Sequence, residues 1–137
     1  MASMRWSVVT ALLLASCLAA DAQQVTLRGK LTSHQGKPVL LTADHKRIFL
    51  SGDEPTTGVL RDKRLEGADF EVVGKRKAPD SIEVDPIHTK AMFVWKNGKR
   101  FLVTYWCETC SIRTYTPGVC WCCQEDTQLD LRPADEK

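Results

Sequence analysis

The sequence predicts a mainly β protein, in which a small β-barrel with one short helix is followed by a cysteine-rich β-hairpin. Between positions 25 and 85, short segments alternate apolar and polar residues and are separated by turn-forming residues. The pair Asn97-Gly98 then separates two strongly apolar segments, which is typical of a β-hairpin. Five of the six cysteines follow directly, between positions 107 and 123.

The composition is that of an ordinary globular domain. The chain has 137 residues, of which 43% are hydrophobic and 26% charged, and its formal net charge is +2. This small charge argues against a polybasic nucleic-acid binder and against an acidic tail. The length fits one domain and is too short for a doubly wound cofactor-binding enzyme.

Residues 1–22 have the pattern of a signal peptide. Arg5 precedes an apolar run from Trp6 to Ala20, and Ala20-Asp21-Ala22 fits a signal-peptidase site with cleavage before Gln23. The run is shorter than the ~20 residues that a membrane-spanning helix needs. The sequence therefore predicts export to the periplasm or the extracellular space, where disulfides are allowed.

A second form of export is also open. The segment Leu14-Ala15-Ser16-Cys17 resembles the lipobox of bacterial lipoproteins. That resemblance implies an acylated Cys17 and a protein anchored to the envelope membrane. Membrane contact is expected only through this anchor.

The region after the signal peptide is predicted to be a series of short strands. His34-Gln35-Gly36-Lys37 is a turn, and 43–46 joins two apolar runs as a hairpin. The predicted strands lie around Val25–Leu31, Val39–Leu41, Ile48–Leu50, Phe70–Gly74 and Ile82–Asp85.

One short helix interrupts these strands. Asp53-Glu54-Pro55 is a typical helix start, because acidic residues favour the positive end of the helix dipole and proline fits the first turn. Leu60 and Leu65 are expected to face the core, and Gly67 to end the helix.

The spacing of glycines and apolar residues resembles that of small exported OB-fold-like domains of the bacterial envelope. The resemblance covers residues ~24–106 and implies an OB-like barrel. We therefore predict this barrel over 23–106 and a separate cysteine-rich segment with a C-terminal strand and tail, the metal-knuckle segment described below, over 107–137. The resemblance implies the binding of a small ligand or a partner, and no reaction. The matching frame is Val25-x-Leu27-x-Gly29, Leu50-x-Gly52, Gly67-x-x-Phe70-x-Val72-x-Gly74 and Ile82-x-Val84.

The hairpin around Asn97-Gly98 has two apolar faces. A two-residue type I′ turn pairs Trp95 with Arg100 and Phe93 with Leu102. A barrel strand needs only one apolar face, so we expect the C-terminal segment, or alternatively a partner, to cover the second. One face carries Met92, Val94, Phe101, Val103 and Tyr105, and the other carries Phe93, Trp95, Arg100, Leu102, Thr104 and Trp106.

The cysteines form two C-x-x-C pairs nine residues apart. They are Cys107 with Cys110 and Cys120 with Cys123, and Cys122 lies inside the second pair. Two such turns joined by a hairpin supply four thiolates at tetrahedral positions ~2.3 Å from a metal. Thiolates are soft ligands that select Zn²⁺ or iron, and a filled four-thiolate site is structural. The segment 125–131 alternates like a return strand.

This arrangement resembles the knuckles of zinc ribbons and rubredoxins, with departures. Those knuckles usually carry glycine after the second cysteine, where this chain has Ser111 and Gln124. Because Cys122 is extra, either Cys122 or Cys123 is the fourth ligand. Two disulfides in an oxidising compartment and a redox-active dithiol are the alternatives.

Two further patterns were considered as sites. His88 and Met92 are four residues apart and form a possible secondary metal site, for copper. Basic clusters at 75–77 and 96–100, near Trp95 and Trp106, suggest nucleic-acid binding. Export and near-neutral charge argue against nucleic acid and favour solvated strand edges.

The predicted function is that of an exported, non-enzymatic cell-envelope protein with a structural zinc site, binding a partner or a small ligand. We find no catalytic triad, phosphate-binding loop or working pair of acids in the sequence, so we do not predict an enzyme. The alternatives are a periplasmic electron-transfer or thiol-redox protein, using iron or a dithiol, and an envelope metal-handling protein that uses Cys122.

Overall fold

A computed structural model of the protein describes residues 23–135. The predicted signal peptide, with Cys17, and the last two residues lie outside the described residues. Within 23–135, no helix has the length and hydropathy to cross a membrane. The elements are β1 (Gln24–His34), β2 (Lys37–Leu41), β3 (Arg47–Ser51), α1 (Glu54–Leu60), a 3₁₀ turn (Lys63–Leu65), β4 (Asp69–Ala78), β5 (Ser81–Val84), α2 (His88–Ala91), β6 (Met92–Lys96), β7 (Lys99–Cys107), β8 (Ile112–Thr114) and β9 (Gln128–Pro133).

The first five strands close into a barrel, which confirms the predicted fold class. The order is β1-β2-β3-β5-β4, and β4 pairs with β1 to complete the circle. Only β3 and β5 are parallel; the other pairs are antiparallel. α1 lies in the chain between β3 and β4, which fits the OB-like arrangement predicted from the sequence.

Two glycines permit the close strand contacts of this barrel. A Cβ at Gly29 would collide with the carbonyl oxygen of Leu41, and one at Gly74 with that of Glu83. No other residue fits at either place without moving a neighbouring strand. These two glycines of the sequence frame therefore mark places where the backbone of a neighbouring strand lies too close for a side chain.

The helix begins as predicted and ends earlier. Asp53 caps it by accepting a hydrogen bond from the N–H of Thr56, 2.9 Å away. The helix stops at Leu60, and a 3₁₀ turn follows, so Leu60 and Leu65 are both buried but belong to different elements. The single turn α2 is an addition to the one predicted helix, because four residues are too short for a periodic pattern to reveal it.

The predicted hairpin is formed by β6 and β7 in the predicted register. Lys96 pairs with Lys99, and Trp95 with Arg100, across the turn at Asn97 and Gly98, both of which have positive φ. β6 extends the sheet from β4. The inner face joins the barrel core, whose members include Phe70, Val72, Ile82, Met92, Val94, Val103 and Tyr105.

Strand β9 does not lie on the second face of the hairpin, but Arg113 of the C-terminal segment lies over Trp106 on that face. β9 pairs with β7 along residues 101–106 and extends the sheet sideways. Arginine side chains lie over the aromatic rings of this face instead, since a guanidinium stacks on an aromatic ring while its polar edge reaches carboxylates. The pairs are Arg28 over Trp95 at 4.2 Å, Arg100 over Phe93 at 4.3 Å and Arg113 over Trp106 at 4.9 Å.

Candidate metal centre

The four predicted cysteine ligands come together at the end of the sheet. The Sγ atoms of Cys107, Cys110, Cys120 and Cys123 all lie within 4.8 Å of one another. Those of Cys107 and Cys123 are 3.5 Å apart. Four sulfurs placed tetrahedrally around a metal at ~2.3 Å are about 3.8 Å from each other. The cluster therefore has the size that a four-thiolate metal site requires.

The first knuckle is a continuation of β7. Cys107 is the last residue of that strand, and the chain turns through Glu108 and Thr109 into β8, which pairs back with β7. The N–H of Cys110 donates a hydrogen bond to the Sγ of Cys107, at 3.4 Å. This curl directs both sulfurs to the same side.

The second knuckle lies in a small ribbon of its own. A bridge between Val119 and Asp126 closes it. The N–H of Gln124 donates to the carbonyl oxygen of Cys120, at 2.9 Å. We name residues 108–127 the cysteine ribbon.

The two departures from the knuckle pattern do not change the backbone. Ser111 and Gln124, which occupy the usual glycine positions, have φ of 51° and 64°. Both residues therefore adopt the left-handed conformation that glycine adopts most easily. The turn is retained at a local cost in backbone strain.

The structure separates Cys122 from Cys123. Cys123 is half-buried within the cluster, whereas Cys122 is exposed outside the set of four. Cys107 and Cys120 are 2% and 1% exposed, so they form the buried side of the cluster. All five described cysteines are free thiols.

The local electrostatics favour ionisation of the Cys120 thiol. The N–H groups of Cys123 and Cys122 lower the pKa of the Cys120 thiol to about 7. The hydrogen bond with Cys122, together with burial, raises the pKa of Cys110. At Cys107, the N–H of Cys110 lowers the pKa, but burial and the thiols of Cys123 and Cys120 outweigh it and raise the pKa. A bound cation would favour the ionised form of these two thiols, Cys107 and Cys110.

Polar contacts that the sequence did not indicate attach the cysteine ribbon to the barrel. Tyr105, on β7, donates to Asp62 at 2.8 Å, and Arg64 forms an ion pair with Asp62 at 2.9 Å. Arg64 also donates to the carbonyl oxygen of Thr127, at 3.1 Å. Thr127 in turn donates through its Oγ1 to the carbonyl oxygen of Gly118, at 2.7 Å. The chain of contacts joins the barrel core to the second knuckle.

His88 and Met92, the possible secondary metal site, have other roles in the structure. The Nδ1 of His88 lies 2.8 Å from the carbonyl oxygen of Tyr115, and its Nε2 lies 3.3 Å from the Oγ1 of Thr56. Met92 is buried in the barrel core. His88 is on α2 rather than on a strand, so the two side chains do not share the strand face that the copper prediction assumed.

One residue of each basic cluster forms ion pairs with carboxylates. Lys77 pairs with Glu83 at 3.5 Å, and Arg100 pairs with Glu71 at 3.5 Å and Asp135 at 3.7 Å. Trp95 donates its ring N–H to Glu71. These pairs favour the interpretation as solvated strand edges over that of a nucleic-acid groove.

Comparison with protein-family models, with curated proteins and with solved structures finds no significant match to this chain. Its described residues form a five-stranded barrel that is extended by a hairpin and by a ribbon that contributes to a cluster of four cysteines.

Proposed function

We propose that this protein is an exported, non-enzymatic cell-envelope protein in which a four-thiolate structural zinc site fixes the C-terminal ribbon, and which binds a partner or a small ligand. The observation that carries the zinc proposal is the approach of four sulfurs, from two knuckles, to within 4.8 Å of one another. Four thiolates suit Zn²⁺, which has no directional d-electron preference and accepts a tetrahedral site.

A structural role follows from how little the cysteine ribbon buries. Of residues 108–127, only Cys120 and Thr127 are buried in the structure. So small an apolar contribution does not offset the loss of chain entropy on ordering such a segment. Metal binding supplies the missing free energy in domains of this kind.

Native mass spectrometry of residues 23–137 tests the zinc proposal. We expect one Zn²⁺ per chain, because the donor set fills all four positions of a tetrahedral site. Cys107→Ser should lose the metal, whereas Cys122→Ser, a cysteine outside the cluster, should retain it. Metal-free protein with four oxidised sulfurs would overturn the proposal in favour of disulfides. A coloured protein with iron–thiolate absorbance would favour the electron-transfer alternative.

Partner binding is supported by the apolar surface of the cysteine ribbon. Tyr115, Val119 and Trp121 are 42%, 55% and 72% exposed, which is unusual for large apolar side chains grouped in one small segment. Ligand binding is supported by a cavity of about 230 Å³ between the β1–β2 turn and the end of α1. Its apolar wall includes Leu31 and Leu60.

Export is supported by the pattern of residues 1–22, and the mature N-terminus tests it. Cell fractionation followed by N-terminal mass analysis should find the chain outside the cytoplasm, beginning at Gln23. A chain that begins at an acylated Cys17 would show the lipoprotein form. An intact N-terminus in the cytoplasm would contradict export.

Metal handling is the second candidate, and the exposed Cys122 beside the cluster favours it. A metal-handling site exchanges its metal while the protein stays folded, whereas a structural site holds it until unfolding. Zinc release to a chromogenic chelator, followed together with tryptophan fluorescence, distinguishes the two. Release that precedes any change in fluorescence would favour metal handling.

A further inference from the structure

We propose that a polar cleft between β7, β8 and β9 binds the sugar units of a neutral glycan. The cleft has a volume of about 330 Å³, within the range of ligand pockets, and it is separate from the cavity lined by Leu31 and Leu60. The inference deepens the ligand binding of the proposed function, and it rests on the proposed zinc site because two of the cleft residues belong to the cysteine ribbon. The residues that line the cleft include Trp106, Glu108, Arg113, Gln128, Asp130 and Arg132.

The strand pairing places the centre of the cleft on one face of the sheet. Trp106 pairs with Arg113 on one side and with Gln128 on the other, and Thr104 pairs with Asp130. Directly paired residues point to the same face, and so do residues two positions apart on a strand. The cleft therefore opens on the face of β7 opposite to the one that joins the barrel core.

Arg113 is fixed within the cleft by three contacts. Its Nη1 donates to the Oγ1 of Thr104 at 2.6 Å and to the Oδ2 of Asp130 at 2.7 Å. Its guanidinium lies over the ring of Trp106, 4.9 Å from the ring centre. These contacts hold the indole and the carboxylate in place before a ligand arrives, which reduces the entropy lost on binding.

The charges of the cleft favour an uncharged polar ligand. Its two arginines, Arg113 and Arg132, are matched by two carboxylates, Glu108 and Asp130, so the lining has no net charge. A polyanion would be repelled by both carboxylates, and an apolar ligand would remove charged groups from water without replacing their hydrogen bonds. A ligand rich in hydroxyl groups can donate to the carboxylates and accept from the guanidinium groups.

Trp106 supplies the apolar surface that a sugar ring needs. The C–H groups of a sugar form apolar patches, and these pack on an aromatic ring while the hydroxyl groups bond to polar neighbours. Trp106 is half-buried, and Glu108, Gln128 and Arg132 are exposed around it. No ion pair among residues 23–135 involves Glu108 or Arg132, so both side chains are available to hydroxyl groups.

The test titrates zinc-loaded residues 23–137 with tetramers of N-acetylglucosamine, glucose, mannose and galactose by calorimetry. We expect saturable binding of at least one tetramer, with little change between about 50 and 500 mM salt because the cleft carries no net charge. Trp106→Ala should weaken binding by about tenfold or more, since it removes the aromatic contact. Trp121→Ala, which removes an exposed indole outside the cleft, should bind as the wild type.

A second variant and a second measurement locate the binding. Arg132→Ala changes an exposed residue, so it should fold normally and weaken binding about fivefold even if Trp106→Ala does not fold. Amide NMR shifts should be grouped in residues 104–113 and 128–132. Shifts grouped around Leu31 and Leu60 would overturn the cleft while retaining the ligand binding of the proposed function.

Two other results would also overturn the inference. One is the absence of saturable binding for all four tetramers, and the other is tighter, salt-dependent binding of the polyanion heparin. Native mass spectrometry measures the metal content of the same samples, so failure of the zinc proposal is distinguished from failure to bind sugar.

Discussion

The barrel and the cysteine ribbon are fixed in place by different physical means. In the barrel, strands from five segments enclose a core of fully buried aliphatic and aromatic side chains. The ribbon has a three-residue strand, one isolated bridge and, as buried side chains, only Cys120 and Thr127. Within one continuous sheet, the barrel strands are therefore stabilised by burial of apolar side chains, whereas the ribbon depends on a few directed bonds.

Metal removal should have the largest effect, and this effect should be confined to the cysteine ribbon. Removing the proposed zinc with a chelator should abolish amide protection in residues 108–127, because structural zinc sites contribute about 10 kcal/mol or more of binding free energy. The barrel strands should keep their protection. Hydrogen-exchange mass spectrometry of the loaded and stripped protein measures both regions together. Equal loss of protection across both regions would show that they are one cooperative unit.

A core substitution tests the barrel in the same way. Phe70→Ala should lower the free energy of unfolding by about 3–5 kcal/mol, because the side chain, near the start of β4, is completely buried in the barrel core. Phe101→Ala, at the half-buried edge of the hairpin, should cost less. Urea denaturation measures both variants, and native mass spectrometry should find the same metal content while they are folded. Equal costs for the two phenylalanines would contradict the description of the core.

The contact between the regions is expected to depend on pH. Burial opposes ionisation of Asp62, but its bonds from Arg64 and Tyr105 outweigh burial and leave its pKa below the usual value. A carboxyl whose pKa is lower in the folded state stabilises above its unfolded pKa of about 3.9, and this stabilisation is lost as pH falls through the lower folded value.

The matching variant is Asp62→Asn. Urea denaturation of both proteins between about pH 6 and pH 2 should show a loss of about 1 kcal/mol on acidification that the variant lacks. The same acid dependence in both proteins would assign the effect to other carboxylates.

The smallest expected effect concerns the strained turns of the ribbon. Ser111→Gly and Gln124→Gly should each stabilise the zinc-loaded ribbon by about 0.5–1 kcal/mol, because glycine adopts positive φ without steric cost. Ser111→Ala should give no gain. Local hydrogen exchange at the knuckles measures the change. A loss of protection in both glycine variants would contradict the claim that Ser111 and Gln124 are strained.

Local signals in the sequence predicted the features that short segments determine. Asn97-Gly98 determined the hairpin register, Asp53 the start of α1, and the C-x-x-C spacing the cluster of four sulfurs. Each of these depends on residues within a few positions of one another, where turn geometry and capping act.

The features that the sequence did not predict depend on distant residues. The stacking of Arg28 on Trp95 and the bond from Tyr105 to Asp62 join segments that only the barrel topology brings together. The choice between Cys122 and Cys123 also depended on the turn conformation, which the unusual Gln124 left open in the sequence.

Strand β7 connects the hairpin turn at Asn97-Gly98 directly to Cys107, the first cysteine of the cluster. Val103, Tyr105 and Cys107 alternate on one face of β7, and all three are buried. Because successive side chains of a strand point to opposite faces, a one-residue shift in the pairing of β7 would turn the Cys107 sulfur to the outer face. The strand register at the hairpin turn, ten positions before Cys107, therefore also determines which face of the sheet carries this sulfur of the candidate metal centre.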